Sequence, residues 1–287
     1  MNNRIIVNIL LTLLFVTGLC PAGCSAKSAN AQQHQQITEP EQLADKPKPV
    51  TEIPNKNPDT IDSILQKLNN STSEIKTYQC QIEYLLSQPA YETKTLRKGN
   101  LFYMRDRKKS NLRIDFDTRK EDDEKQRTDK QQYLFDGIWL TYIDYQMEQA
   151  KIKQMVEPND PNGPADAFEL VSRNFPIVGF SKAEDLKKQF DISFLQQKPA
   201  DAEKYILLHL KVKPDSIYKE DYSAIDFRID KKLYLPAKIT AVATDSTEFE
   251  VHEINFLQPK LNKKLKTNTF DFQIPPGFDR EIIQMKK

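Results

Sequence analysis

Residues 77–84 alternate: Tyr78, Cys80, Ile82 and Tyr84 are separated by Gln79, Gln81 and Glu83. A period of two is the pattern of a strand with one buried face and one wet face. Just upstream the period is that of a helix. Ile61, Ile64, Leu65 and Leu68 recur at helical spacing after Asp59, a capping residue type, which predicts one amphipathic helix with a single oily stripe. Further strands are predicted at 99–105, 111–117, 132–135, 138–144, 147–155, 205–212, 223–230, 236–244, 248–257 and 269–274. The short connections make most neighbours antiparallel hairpins. The charged stretch TRKEDDEKQRTDK at 118–130 reads as a solvated hairpin loop. Two helical stretches, PADAFELVSRNF at 164–175 and SKAEDLKKQF at 181–190, interrupt the strands with the apolar FPIVGF between them. Such a connector reads as a segment pressed onto an oily interior.

Several strands are apolar on successive positions, as in Leu101-Phe102-Tyr103-Met104, Ile138-Trp139-Leu140 and Ile206-Leu207-Leu208. An antiparallel sheet with one wet face would alternate, so part of the second face is covered too. Few helices are available for a sheet of about ten strands. Either the sheet curls into a packed core of its own, or it leaves an apolar cleft; composition leaves both open. The end of the chain reads TNTFDFQIPPGFD, where Phe270 and Phe272 project to one side of an extended segment and Pro275, Pro276 and Gly277 stop any ladder.

Composition then narrows the chemistry. With 42 basic and 41 acidic residues there is no electrostatic footprint for nucleic acid. Seven glycines among 287 residues, and no HExxH, CxxC or GxSxG, leave no phosphate cradle, metal site or nucleophile elbow to argue from. His34 falls in a polar stretch, and His209 and His252 fall on separate strands, so no enzyme, cofactor or metal is expected. Cys80, on the apolar side of its strand, reads as a structural thiol with no partner for a disulfide in the body of the chain. The lone Trp139 reads as a core residue whose indole N–H wants a partner.

The N-terminus, MNNR followed by an apolar run at 5–19, has the anatomy of an export signal. Two processing sites compete. Cleavage after Ala29-Asn30-Ala31 releases a product starting at Gln32, with residues 1–31 as the signal; a lipobox-like Ala22-Gly23-Cys24-Ser25 instead makes residues 1–23 the signal and Cys24 an acylated anchor, Cys20 being the weaker acceptor. The polar stretch 32–57 is too poor in apolar side chains to order itself, and forms a linker to one domain over 58–287.

The ordered set Gly99-Asn100-Leu101-Phe102-Tyr103-Met104-Arg105, Phe135-Asp136-Gly137, Asp230 to Pro236 and TFDFQIPPGFD resembles the periplasmic outer-membrane lipoprotein carrier family, the LolA-type or lipoprotein-sorting fold, over residues 59–283. The resemblance implies a mainly β (α+β) fold: a strongly curved antiparallel sheet forming an incomplete barrel, with an N-terminal helix and inserted helices over its concave face. It implies non-enzymatic binding of lipoprotein acyl chains or other lipid in an apolar cavity, in the periplasm or cell envelope, by a monomer working with membrane-bound donor and acceptor proteins. An anchored receptor, sensor or protein-interaction module with the same fold is the alternative, and an acylated Cys24 would favour it. Arg105 falls where the family carries a functional arginine that contacts the lid, although Asp106 replaces the following proline. The parity that points Arg105 inward also points Gly99, Leu101 and Tyr103 inward, and Leu112, Ile114 and Phe116 form the adjacent row. Leu101, Tyr103, Arg105, Leu112, Ile114 and Phe116 are therefore the candidate lipid contacts. The mass of the mature N-terminus separates the two products: free Gln32 marks a soluble carrier, and diacylglyceryl Cys24 an anchored protein.

Overall fold

The computed structural model describes residues 60–106, 109–157, 167, 182–244 and 250–285. The expected signal and linker, Cys20, Cys24, His34, Asp59 and the 164–180 stretch apart from Ala167 lie outside the described residues. Helix α1 (Ile61–Ser73) is capped by Thr60, whose Oγ1 accepts from the Ser63 N–H at 3.2 Å, so Thr60 and not Asp59 is the cap. Its stripe of Ile64, Leu65 and Leu68 is completely buried. A helix of thirteen residues is marginal alone, so this burial, worth about 1.5–3 kcal/mol per side chain, is what holds it.

Twelve strands follow: β1 (Thr77–Gln88), β2 (Thr93–Asp106), β3 (Lys109–Glu121), β4 (Arg127–Phe135), β5 (Trp139–Asp144), β6 (Gln149–Gln154), β7 (Phe190–Phe194), β8 (Tyr205–Val212), β9 (Tyr222–Asp230), β10 (Pro236–Ala243), β11 (Val251–Leu261) and β12 (Asp279–Ile283). They form one sheet in the order β12-β6-β5-β4-β3-β2-β1-β11-β10-β9-β8-β7, antiparallel except where β12 runs parallel to β6. The sheet is mainly β and open, its edges β12 and β7 unpaired with each other, as an incomplete barrel requires. A second short helix, α2 (Ala183–Gln189), precedes β7 and touches α1.

Alternation sorts the strands into two faces. On the inner face Tyr78, Ile82, Ile254, Ile239, Phe227 and Leu208 meet α1 in one continuous core. Ala167 is buried in that core, and its N–H donates to Ser110 Oγ at 2.5 Å. Register shifts at Lys98/Gly99 and Phe116/Thr118 interrupt the β2–β3 and β3–β4 ladders, and bulges of this kind bend a sheet.

Two expectations about the chain's charged and aromatic stretches are corrected. The 118–130 stretch is mostly ladder, because β3 runs on to Glu121 and β4 resumes at Arg127; its arginines find carboxylates across the strands, Arg119 at Asp129 and Arg127 at Glu121. The 269–274 segment is no strand. It crosses the outer face, where Arg113 Nη1 donates to the carbonyls of Thr269 (2.9 Å) and Asp271 (3.2 Å), so its backbone is tied to a side chain and not to a neighbouring strand. The closing strand is β12, beyond the Pro-Pro-Gly break. Ile274 and Phe278 of this strap pack on Leu134, Ile143 and Ala150, a small second core that explains why β4 and β5 are apolar on both faces.

At Gly99 a Cβ would stand 1.7 Å from the Asp115 carbonyl oxygen, so β2 and β3 approach closer there than any side chain permits. Gly99→Ala is expected to cost about 3 kcal/mol of stability, read from the urea midpoint. A loss under about 0.5 kcal/mol would show that the bulge relaxes freely.

Candidate lipid-facing site

The register sets the five apolar candidates in cross-strand pairs, Leu101 opposite Ile114, Tyr103 opposite Leu112 and Phe116 opposite Gly99, and places Arg105 opposite Ser110. All five point to the inner face and are between 0% and 4% exposed. Side chains so fully covered border no void that would hold a hydrocarbon chain; in this conformation the row is closed.

Arg105 shares their face but sits at the rim. Its Nε donates to Tyr103 Oη at 2.9 Å, and its Nη1 donates to the carbonyl of Ser73, the last residue of α1, at 3.0 Å. Helix carbonyls at a C-terminus lack intrahelical partners and carry partial negative charge, so a guanidinium is well placed there. The Asp106 that follows has not displaced Arg105 from the helix.

The opposite end of the inner face is polar, which the sequence reading missed. Arg97 continues the parity of Leu101 and Tyr103, and it lies 3% exposed with Nη1 donating to Asp129 at 2.7 Å. Arg119 pairs across the ladder with Arg97 and reaches both Glu121 and Asp129. Burial first, then the Arg97 charge, holds its pKa below the ordinary arginine value. Asp144, also 3% exposed, accepts from Tyr142 Oη (2.8 Å), Gln131 Nε2 (2.7 Å) and the N–H groups of Gln146 and Met147. The signal was available: a charged residue on the inward parity of an apolar row calls for a buried partner.

Beside this network Tyr84 Oη and His252 Nδ1 meet at 2.8 Å, and Glu250 accepts from Gln88 Nε2 at 2.7 Å. Burial pushes the Tyr84 hydroxyl well above its usual pKa and holds the His252 imidazole down to about 4. Cys80 is equally inert: burial pushes its thiol up to about 12. His209 lies on the outer face, 2.7 Å from Asp226, and Trp139 is half-buried on that face as well. Among the described residues no three His, Cys, Asp or Glu side chains gather as a metal site. The strap borders an open outer-face hollow of about 570 Å³ beside Phe270, Asp271, Phe272 and Gln273.

No family model matches the chain, and no curated protein matches it. Among solved structures it is similar to an uncharacterized conserved protein from Thermus thermophilus, at 10% identity and a TM-score of 0.43 over 78% of this chain and 98% of that one. It is similar to MucB at 12% identity and a TM-score of 0.42, covering 74% of this chain and 62% of MucB, so it spans less than two thirds of that protein. A LolA superfamily protein from Nitrosomonas europaea is similar at 12% identity and a TM-score of 0.33, over 74% and 97%. At these overlaps the likeness concerns the plan of sheet and helices and carries nothing about ligand or partner.

His252 has a stability consequence. The unfolded histidine takes its proton near pH 6.5 and the folded one near pH 4, so between these values the unfolded chain holds more protons. Stability should therefore fall as pH drops through that window, by roughly 3 kcal/mol in all, and level off below it. His252→Gln should flatten the slope in pH-dependent urea melts; an unchanged slope would assign it to other groups.

Proposed function

We propose that this protein binds hydrocarbon chains, those of lipoproteins or of another envelope lipid, between the inner face of its sheet and helix α1, without bond-making chemistry. The observation that carries the reading is the continuous apolar row Leu101, Tyr103, Leu112, Ile114 and Phe116, which shares one core with the α1 stripe and is stopped by a bonded polar wall at its far end. What covers the row matters as much as the row. Each CH₂ taken from water is worth about 0.8 kcal/mol, so a chain of a dozen carbons strongly prefers such a surface to solvent. It gains little over the apolar side chains, the α1 stripe among them, that already share that core. Binding is therefore an exchange of one apolar cover for another, with the moderate affinity that lets cargo pass to a membrane or an acceptor protein.

The polar wall of Arg97, Asp129, Gln131, Tyr142 and Asp144 sets the depth. A hydrocarbon tail offers those groups no hydrogen bond, so displacing their partners is costly, and the tail stops near Tyr84 and Phe116. Export through the N-terminal signal would place this exchange in the periplasm or at the envelope. A product starting at Gln32 would be a diffusing carrier, whereas an acylated Cys24 would hold the same domain to a membrane within the tens of ångströms that a linker of this length spans.

Protein purified from membranes should carry extractable acyl lipid, and the stripped protein should take up a fluorescent fatty-acyl probe. Leu112→Glu or Ile114→Glu should lower the load. Because both positions are buried, Leu112→Phe, which narrows the row without charging it, serves where the glutamate variants fail to fold. Absence of extractable lipid together with no probe uptake by the folded wild type would replace this reading with a protein-interaction role.

A further inference from the structure

Helix α1 is fastened at its two ends by contacts of different kinds. At the C-terminal end they are directional. Asn262, just past β11, accepts the Lys76 and Thr77 N–H groups on Oδ1 at 2.7 and 3.3 Å, and its Nδ2 donates to the Glu74 carbonyl at 3.2 Å. Its own N–H donates to the Thr77 carbonyl at 2.8 Å, and Thr77 Oγ1 donates to the Lys263 carbonyl at 2.6 Å. Asn262 holds a φ of +52°, a left-handed backbone that asparagine tolerates better than most residues, so the side chain is aimed at the helix exit by its own turn. Arg105 adds its N–H to the Lys76 carbonyl (2.8 Å) and its Nη1 to the Ser73 carbonyl.

Toward the N-terminal end the cover is the stripe of Ile64, Leu65 and Leu68. The polar ties there include Lys67 Nζ donating to Tyr234 Oη at 3.3 Å, and Lys187 Nζ 2.7 Å from Asp62. The Lys187 and Asp62 side chains are 48% and 75% exposed, so that ion pair is screened and weak. An incoming hydrocarbon can take the place of Ile64, Leu65 and Leu68 against the sheet, since apolar contact has no direction. It cannot take the place of Asn262 or Arg105, because it has nothing to donate or accept.

We propose that α1 is a lid with one moving end: Glu74–Thr77 form its hinge, Asn262 is the pin, and the Ile61–Leu68 end lifts. This rests on the lipid-binding reading and goes further, by making Arg105 an anchor of the hinge and not the latch that governs opening. An arginine bonded to the last residue of the helix, next to the chain's own covalent passage into β1, holds the point about which the helix turns.

Native-state thiol labelling tests this without lipid. Cys80, 6% exposed on β1, reports the hinge end, and Ile229→Cys, at a fully buried position next to the β9–β10 turn that carries Tyr234, reports the lifting end. Each rate is divided by its rate in the urea-unfolded protein and read by peptide mass spectrometry of the exported chain. The thiol at 229 should label about tenfold or more faster than Cys80 in the wild-type background, as expected where a local opening exposes one site and not the other. Asn262→Ala and Arg105→Ala should each raise the Cys80 rate toward that of the thiol at 229 and leave the latter nearly unchanged. Leu65→Cys replaces Ile229→Cys as the reporter if that variant does not fold. Equal rates at the two ends would overturn the hinge, and so would an Asn262→Ala protein with an unaltered Cys80 rate. An Arg105→Ala protein that accelerates labelling at position 229 would restore the arginine as a latch. Failure of acyl-probe uptake by the wild type would count against the lipid reading alone, since these rates are measured without lipid.

Discussion

An antiparallel sheet that turns its oily side chains to one side has to hide them, and in this chain a helix of thirteen residues supplies part of that cover. The contact between the α1 stripe and the inner face is the interaction on which the rest depends. It stabilises a helix too short to persist alone, and it seals a sheet that does not close on itself. Being apolar, it is also a large contact that another apolar body could replace at little net cost.

The two sides of the sheet solve the problem of cover differently. On the outer side the strap through Ile274 and Phe278 is bound by both kinds of contact: the small core on Leu134, Ile143 and Ala150, and the Arg113 bonds to its carbonyls. Arg113 is itself fixed by Asp115, which also accepts from Gln132. On the inner side prominent directional bonds gather at the ends, in the hinge of α1 and in the Arg97 and Asp144 network, and the α1 stripe between them packs through apolar contact. The two faces thus divide the work of cover between a seam tied by directional bonds and a core that is mainly apolar.

Much of this was legible in the chain because burial on one face leaves a period of two. β1, β3, β9 and β11 carry it most plainly, and the inward row from Leu101 to Phe116 follows from the same parity. The failures have physical causes. Phe270 and Phe272 alternate like a strand, yet alternation records which side is covered and says nothing about whether a neighbouring strand supplies hydrogen bonds; here a side chain, Arg113, does. β12 was missed because an edge strand with Asp279, Arg280 and Glu281 largely exposed has no burial pattern to read. The charged 118–130 stretch hid a buried pair because Arg97 and Asp129 lie on different strands, and only the register unites them.

Methyl NMR locates the cargo most directly. With isotopically labelled Leu and Ile methyl groups and a protonated fatty-acyl ligand, cross-relaxation should connect the acyl CH₂ protons to the methyls of Leu101, Leu112 and Ile114, and to those of Ile64 and Leu65 on the opposing helix. Cross-relaxation confined to Ile274 beside the outer-face hollow, with the inner methyls silent, would contradict the account.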